Sequence, residues 1–111
     1  MAMDKRSKEA RHHLLTLCLD PAIDAICSIA GLTQAQLISR SRKDRTVISR
    51  AIVYDFLYVN FEFSTCEIGG VFGRNHSTVL NALKKIKGYL EYGDKETTEL
   101  FGRFYTYINM L

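Results

Sequence analysis

The 111-residue sequence has no tryptophan, a single proline and only three cysteines. Cys18, Cys27 and Cys66 are odd in number and form no Cys-x-x-Cys pair, which argues against a disulfide framework and for reduced thiols in a cytosolic setting. No stretch approaches the roughly 18 consecutive apolar residues of a membrane span. The N-terminus Met1-Ala2-Met3-Asp4-Lys5-Arg6 has no apolar signal-peptide core, so the expected location is cytoplasmic and no membrane partner is expected. No Gly-x-x-x-x-Gly-Lys-Ser/Thr loop occurs, which excludes a P-loop nucleotide-binding motor, and a chain of this length has room for one small domain. Internal repeats, low-complexity segments and alternating strand patterns are also missing. Metal binding by His12, His13 and a cysteine is disfavoured because adjacent helical residues point apart. Covalent chemistry by Cys66 with His76 has no visible orienting group. The expectation is therefore no enzyme, no cofactor and no metal.

What remains is a series of helix signals. A candidate amphipathic helix spans residues 4–19, with Lys5, Arg6, Lys8 and Arg11 early and Leu14, Leu15, Leu17 and Cys18 late. Asp20-Pro21 reads as a cap with proline at the first helical position, opening a helix that turns Ile23, Ile26, Cys27 and Ala30 inward and stops at Gly31. Thr33–Gln36 is a capping box, and Leu32 with Leu37 forms its hydrophobic staple. The segment from about Thr46 to Asn60 buries Ile48, Ile52, Phe56 and Val59 at helical spacing, although its β-branched and aromatic content makes a strand over 53–63 the competing assignment. Asp94 caps a last helix carrying Phe101, Phe104, Tyr105, Ile108 and Leu111. The expected fold is all-α with about six helices, divided into an N-terminal amphipathic helix (1–20) and a body (21–111).

The centre of the sequence carries its most specific signal. Ser64-Thr65-Cys66-Glu67 is a capping box, and Phe63 with Ile68 forms a staple. Gly73 suits the left-handed position just past a helix end, and Asn75 is an N-cap for a helix that buries Val79, Leu83, Ile86 and Leu90. That helix begins with Asn75, His76, Ser77 and Thr78 and leaves Lys84, Lys85 and Lys87 on other faces. A short capped helix, a glycine turn and a long helix with a polar first turn make a helix-turn-helix suited to the major groove. Between Arg40 and Lys87, nine Lys or Arg residues stand against four acids, whereas the rest of the chain holds six basic and eight acidic residues. Arg40, Arg42, Lys43, Arg45 and Arg50 form the densest cluster, the footprint of a phosphate partner.

From about Pro21 to the C-terminus the chain resembles the C-terminal DNA-binding domain, domain IV, of the bacterial replication initiator family DnaA, a Trp-repressor-like helical fold. The family's Phe-Gly-Gly-Arg-Asp-His-Thr-Thr-Val-Leu is matched by Phe72-Gly73-Arg74-Asn75-His76-Ser77-Thr78-Val79-Leu80. Its Ser-Leu-Pro-Glu-Ile-Gly is echoed by Ser64-Thr65-Cys66-Glu67-Ile68-Gly69, and its basic loop by Ser39-Arg40-Ser41-Arg42-Lys43-Asp44-Arg45. The resemblance implies base reading by Arg42 in the minor groove and by Arg74, Asn75, His76, Ser77 and Thr78 in the major groove. It implies backbone contacts from Arg40, Lys43, Arg45, Arg50, Thr65 and Cys66.

Several departures bear on this. One glycine is missing between Phe72 and Arg74, Asn75 replaces Asp, Ser77 replaces Thr, Cys66 replaces Pro, and Tyr58 stands where a Lys is usual. Asn both donates and accepts and favours adenine edges, so the expectation is retained DNA binding with a shifted preferred sequence. The implied partner is double-stranded DNA with an initiator-box-like sequence, placing the protein at the nucleoid. Replication-origin binding and regulation of replication initiation follow, in a chromosome or a mobile element such as a plasmid or prophage. A reader without its own ATPase is the form this takes. The alternative is an interaction module that kept the fold and binds an initiator or replisome component; a homodimer is a further partner the aromatic C-terminus allows.

Overall fold

The computed structural model describes residues 7–111, all of whose regular structure is helical. Six helices follow one another: α1 (Lys8–Ala30), α2 (Gln34–Ile38), α3 (Asp44–Phe61), α4 (Thr65–Phe72), α5 (His76–Tyr92) and α6 (Lys95–Asn109). The all-α architecture with its helix-turn-helix is as expected from sequence. Lys5 and Arg6 of the expected N-terminal helix lie outside the described residues.

α3 is the hub and packs against each of the other five helices. Its Ile48, Ala51, Ile52, Val53, Tyr54, Phe56 and Leu57 are all buried, so it is apolar around most of its circumference. A helix surrounded by neighbours needs no polar stripe. This explains both its β-branched content and why a strand competed for 53–63. Val59 departs from expectation: it is 61% exposed, because the last turn of α3 runs beyond the core. α3 ends at Glu62 in a left-handed conformation (φ 58°), the one non-glycine residue with positive φ among those described. The Glu62 amide donates to the Tyr58 carbonyl and the Phe63 amide to that of Leu57.

The expected helix boundary at Asp20-Pro21 is not there; α1 continues through Pro21. Proline removes one i→i−4 hydrogen bond, here to the Leu17 carbonyl. Pro21 and Leu17 are both exposed, so solvent can satisfy that carbonyl while Leu15, Ala22, Ala25 and Ile26 stay buried against α3 and α6. An 18-residue window of α1 has a mean hydropathy of 1.4, high enough for a membrane span by length and composition. Its Leu15, Ala22, Ala25, Ile26, Ile29 and Ala30 are buried in the core, whereas Leu17 is exposed. The expected division between residues 20 and 21 thus falls inside a continuous helix.

The last helix packs on α1 and buries Leu100 and Phe104, with Phe101, Tyr105 and Ile108 half-buried. Phe56 and Phe104 meet edge-on at 5.3 Å, and Phe101 lies 4.8 Å from Tyr105. Leu111, expected on this helix, lies two residues beyond its end at Asn109 and is 76% exposed.

Candidate nucleic-acid interface

The reader is assembled from local capping chemistry. At the start of α4, Ser64 Oγ accepts from the Glu67 amide (3.0 Å) and the Ser64 amide donates to Glu67 Oε1 (2.9 Å), a complete capping box. The staple partners Phe63 and Ile68 are both buried. Gly73 ends the helix at φ 65°, and the Arg74 amide folds back onto the Gly69 carbonyl (2.8 Å). The turn is three residues, Gly73-Arg74-Asn75, between α4 and α5. It presses so closely on α4 that a Cβ on Gly69 would lie 2.5 Å from the Arg74 carbonyl oxygen. Asn75 Oδ1 then accepts from the Ser77 amide (2.8 Å) and opens α5.

This geometry leaves Asn75, His76, Ser77 and Thr78 exposed on the first turn of α5, while Val79 and Ile86 anchor it to the core and Lys84, Lys85 and Lys87 face solvent. The cap changes what Asn75 offers. With Oδ1 accepting from the Ser77 amide, one of its two lone pairs is committed to the cap, while both amide donors stay free for a partner. Thr65 is half-buried and Cys66 exposed at the first turn of α4, where helix amides point outward. Tyr58 lines an open groove with Glu62, Phe63, Ser64, Thr65 and Leu80.

The basic loop joins α2 to α3. Arg40, Arg42 and Lys43 are exposed on it. The loop is ordered by its own serines: Ser39 Oγ donates to the Gln36 carbonyl (2.7 Å), the Ser41 amide donates to Ser39 Oγ and the Lys43 amide to Ser41 Oγ (both 3.2 Å).

The other arginines are engaged within the protein. Arg50, expected to meet a phosphate, is only 8% exposed; its guanidinium donates to the carbonyls of Leu37, Ser39 and Ser41. Burial pushes its pKa down, and the neighbouring Arg74 adds to this while Tyr54 opposes it. Arg45, also expected on the backbone, donates from Nε to the Ala30 carbonyl (2.7 Å) at the end of α1 and pairs with Glu96 (2.9 Å). It closes the α1–α6 side of the fold instead. Arg74 is half-buried and donates to the carbonyls of Ile38 (3.2 Å) and Ser39 (2.6 Å), which joins the helix-turn-helix turn to the basic loop.

The Bacterial dnaA protein helix-turn-helix model matches residues 20–86. The chain belongs to the bacterial DnaA helix-turn-helix family. Chromosomal replication initiator protein DnaA of Bacteroides fragilis is 31% identical over 85 residues, covering 76% of this chain and 18% of that protein. DnaA of Bacteroides thetaiotaomicron is 36% identical over 75 residues (66% and 16%), and that of Oleidesulfovibrio alaskensis 35% over 71 (64% and 15%). The chain therefore spans less than a fifth of the length of these DnaA relatives.

The matched segment of the DnaA-like chain runs from the second half of α1 through α4 and into α5 as far as Ile86, so the turn of the helix-turn-helix lies toward its C-terminal end. Two features of the site escaped sequence reasoning. Gly69 is needed for the close approach of the turn, and its only signal is its place after Glu67-Ile68. The other is Arg11 on α1, which makes a two-point ion pair with Glu67 (Nε–Oε2 2.6 Å, Nη2–Oε1 2.9 Å) and lies over the Phe63 ring at 5.5 Å. The Arg11 guanidinium, assisted by the Ser64 cap, holds the Glu67 carboxyl down to about 2. α1 thus braces the first turn of α4. Nothing in the spacing of residues 56 apart signals that contact.

Proposed function

We propose that this chain binds double-stranded DNA at an initiator-box-like sequence and acts in replication initiation or its regulation. The single observation that carries the proposal is that Arg74 bonds the turn before α5 to the start of the basic loop. The exposed first turn of α5 and the exposed Arg40, Arg42 and Lys43 belong to two segments that the Arg74 side chain ties together. In this arrangement α5 enters the major groove with His76, Ser77 and Thr78 toward base edges, and Asn75 contributes a donor. Arg42 enters the adjacent minor groove. Arg40, Lys43, Thr65 and Cys66 meet phosphates, the last two through the free amides of the first turn of α4. Arg50 and Arg45 act behind this surface. Tyr58 in place of a cation removes one charge from the contact set and so weakens the salt dependence of binding. Such a partner places the chain in the cytoplasm, at the nucleoid.

Point variants test the division of labour. His76→Ala erodes discrimination between a box and its single-base variants by about 1–3 kcal/mol at the contacted pair. Lys43→Ala weakens binding to all duplexes alike and lowers the salt slope by about one. Identical effects of the two substitutions on every duplex would contradict the assignment.

A further inference from the structure

We propose that Arg50 and Arg74 are positioning residues that lock the basic loop and the helix-turn-helix turn into one unit by donating to the same carbonyl, that of Ser39. The inference rests on the DNA-binding reading for its use but not for its test.

Residues 39–42 lie outside regular structure and their backbone carbonyls accept from no helical amide, whereas the carbonyl of Lys43, the N-cap of α3, accepts from the Val47 amide (2.9 Å). From α3, Arg50 Nη1 donates to the carbonyls of Ser39 and Leu37, and its Nη2 to that of Ser41. From the turn between α4 and α5, Arg74 Nη2 donates to the Ser39 carbonyl at 2.6 Å and that of Ile38 at 3.2 Å. Two guanidinium groups from elements 24 residues apart therefore converge on one oxygen. The two ion pairs among the described residues, Arg11–Glu67 and Arg45–Glu96, involve neither of them. Placing two like charges together without a carboxylate opposes folding, and the planar fork of arginine offsets it only by matching several carbonyls at once. An apolar pair would serve stability better. What the arrangement achieves is geometry: Arg40, Arg42 and Lys43 project from a loop whose position is fixed relative to the first turn of α5. The minor-groove and major-groove contacts are then set before DNA arrives, and binding does not bear the entropy of ordering the loop.

Limited trypsin digestion of the whole chain without DNA tests the brace, because the loop carries its own cleavage sites after Arg40, Arg42 and Lys43. Lys84 and Lys85 on α5 serve as internal controls. In Arg74→Gln, loop cleavage is expected to accelerate about tenfold or more, with cleavage at Lys84 and Lys85 and the helical circular dichroism unchanged. Arg50→Met should do the same. Arg50→Lys, which keeps the charge but loses the fork, should leave loop cleavage fast. Wild-type loop cleavage in Arg74→Gln would overturn the proposal, as would acceleration at all sites together or full protection restored by Arg50→Lys. If Arg50→Met does not fold, Arg74→Gln decides alone, since Arg74 is only half-buried and its removal leaves the core intact. A wild-type chain that holds the loop but ignores DNA would refute the functional reading and leave the brace standing.

Discussion

Adjacent glycines in α4 are expected to respond to alanine with opposite signs. At Gly69 a new Cβ would sit 2.5 Å from the Arg74 carbonyl oxygen, 3.4 Å from the Arg74 carbonyl carbon and 3.5 Å from that of Asn75. All three are backbone atoms of the turn, so no side chain can swing aside. The turn must retreat by about 0.9 Å to move the oxygen from 2.5 Å to the 3.4 Å at which ordinary contact begins. Overpacking of this kind costs about 1–3 kcal/mol. The shift also strains the Arg74 amide's bond to the Gly69 carbonyl, worth about 1 kcal/mol. Gly69→Ala should therefore lose about 2–3 kcal/mol, which for a domain of this size lowers Tm by roughly 10 °C or more. At Gly70 a Cβ meets nothing within 4 Å, so alanine there gains helix propensity, about 0.5–1 kcal/mol, and raises Tm by a few degrees. Thermal unfolding followed by circular dichroism at 222 nm (the usual helix signal, about the same in both variants) reads both. Equal shifts of the same sign would refute the packing of the turn against α4.

The remaining predictions concern caps and charge. The Glu67 carboxyl falls from its ordinary 4.5 to about 2 in the folded chain, so its stabilisation is fully present above pH 4.5 and is lost as pH falls through about 2. Glu67 is 28% exposed, so solvent screening leaves the pair worth about 1 kcal/mol; Arg11→Met should remove that amount at neutral pH and flatten the acid limb of a urea-unfolding series. Glu62 holds a left-handed φ of 58° that favours glycine, so Glu62→Gly should stabilise the chain by about 0.5–1 kcal/mol in the same assay. Val59→Ser, at an exposed site despite its helical register with Phe56, should change stability by less than about 0.5 kcal/mol.

The helix-turn-helix was legible in the sequence because its determinants are local. Ser64 with Glu67, Gly73 and Asn75 each satisfy backbone groups within a few residues, and the structure places each in that role. Exposure of Asn75, His76, Ser77 and Thr78 followed from the same caps. Long-range partners were not legible. Charge along the chain does not reveal which carbonyls a loop leaves open, so Arg50 looked like Arg42 although one is buried on loop oxygens and the other faces solvent. The bonds of Arg45 to the Ala30 carbonyl and to Glu96 were hidden for the same reason. Pro21 suggested a boundary, but what decides whether a helix crosses a proline is whether the orphaned carbonyl faces water, a tertiary fact. In α3, contact with five neighbours erased the amphipathic stripe on which helix assignment depends.

The most direct measurement of the central claim is a fluorescence-anisotropy titration of the full chain against two short duplexes, one with an initiator-type box and one scrambled. It is run at about 50 and about 200 mM salt. Tighter binding to the box that persists at the higher salt is the predicted result, with both affinities falling steeply as salt displaces the phosphate contacts of Arg40 and Lys43. No binding to either duplex at micromolar protein would contradict the claim and direct the search to a protein partner for the same surface.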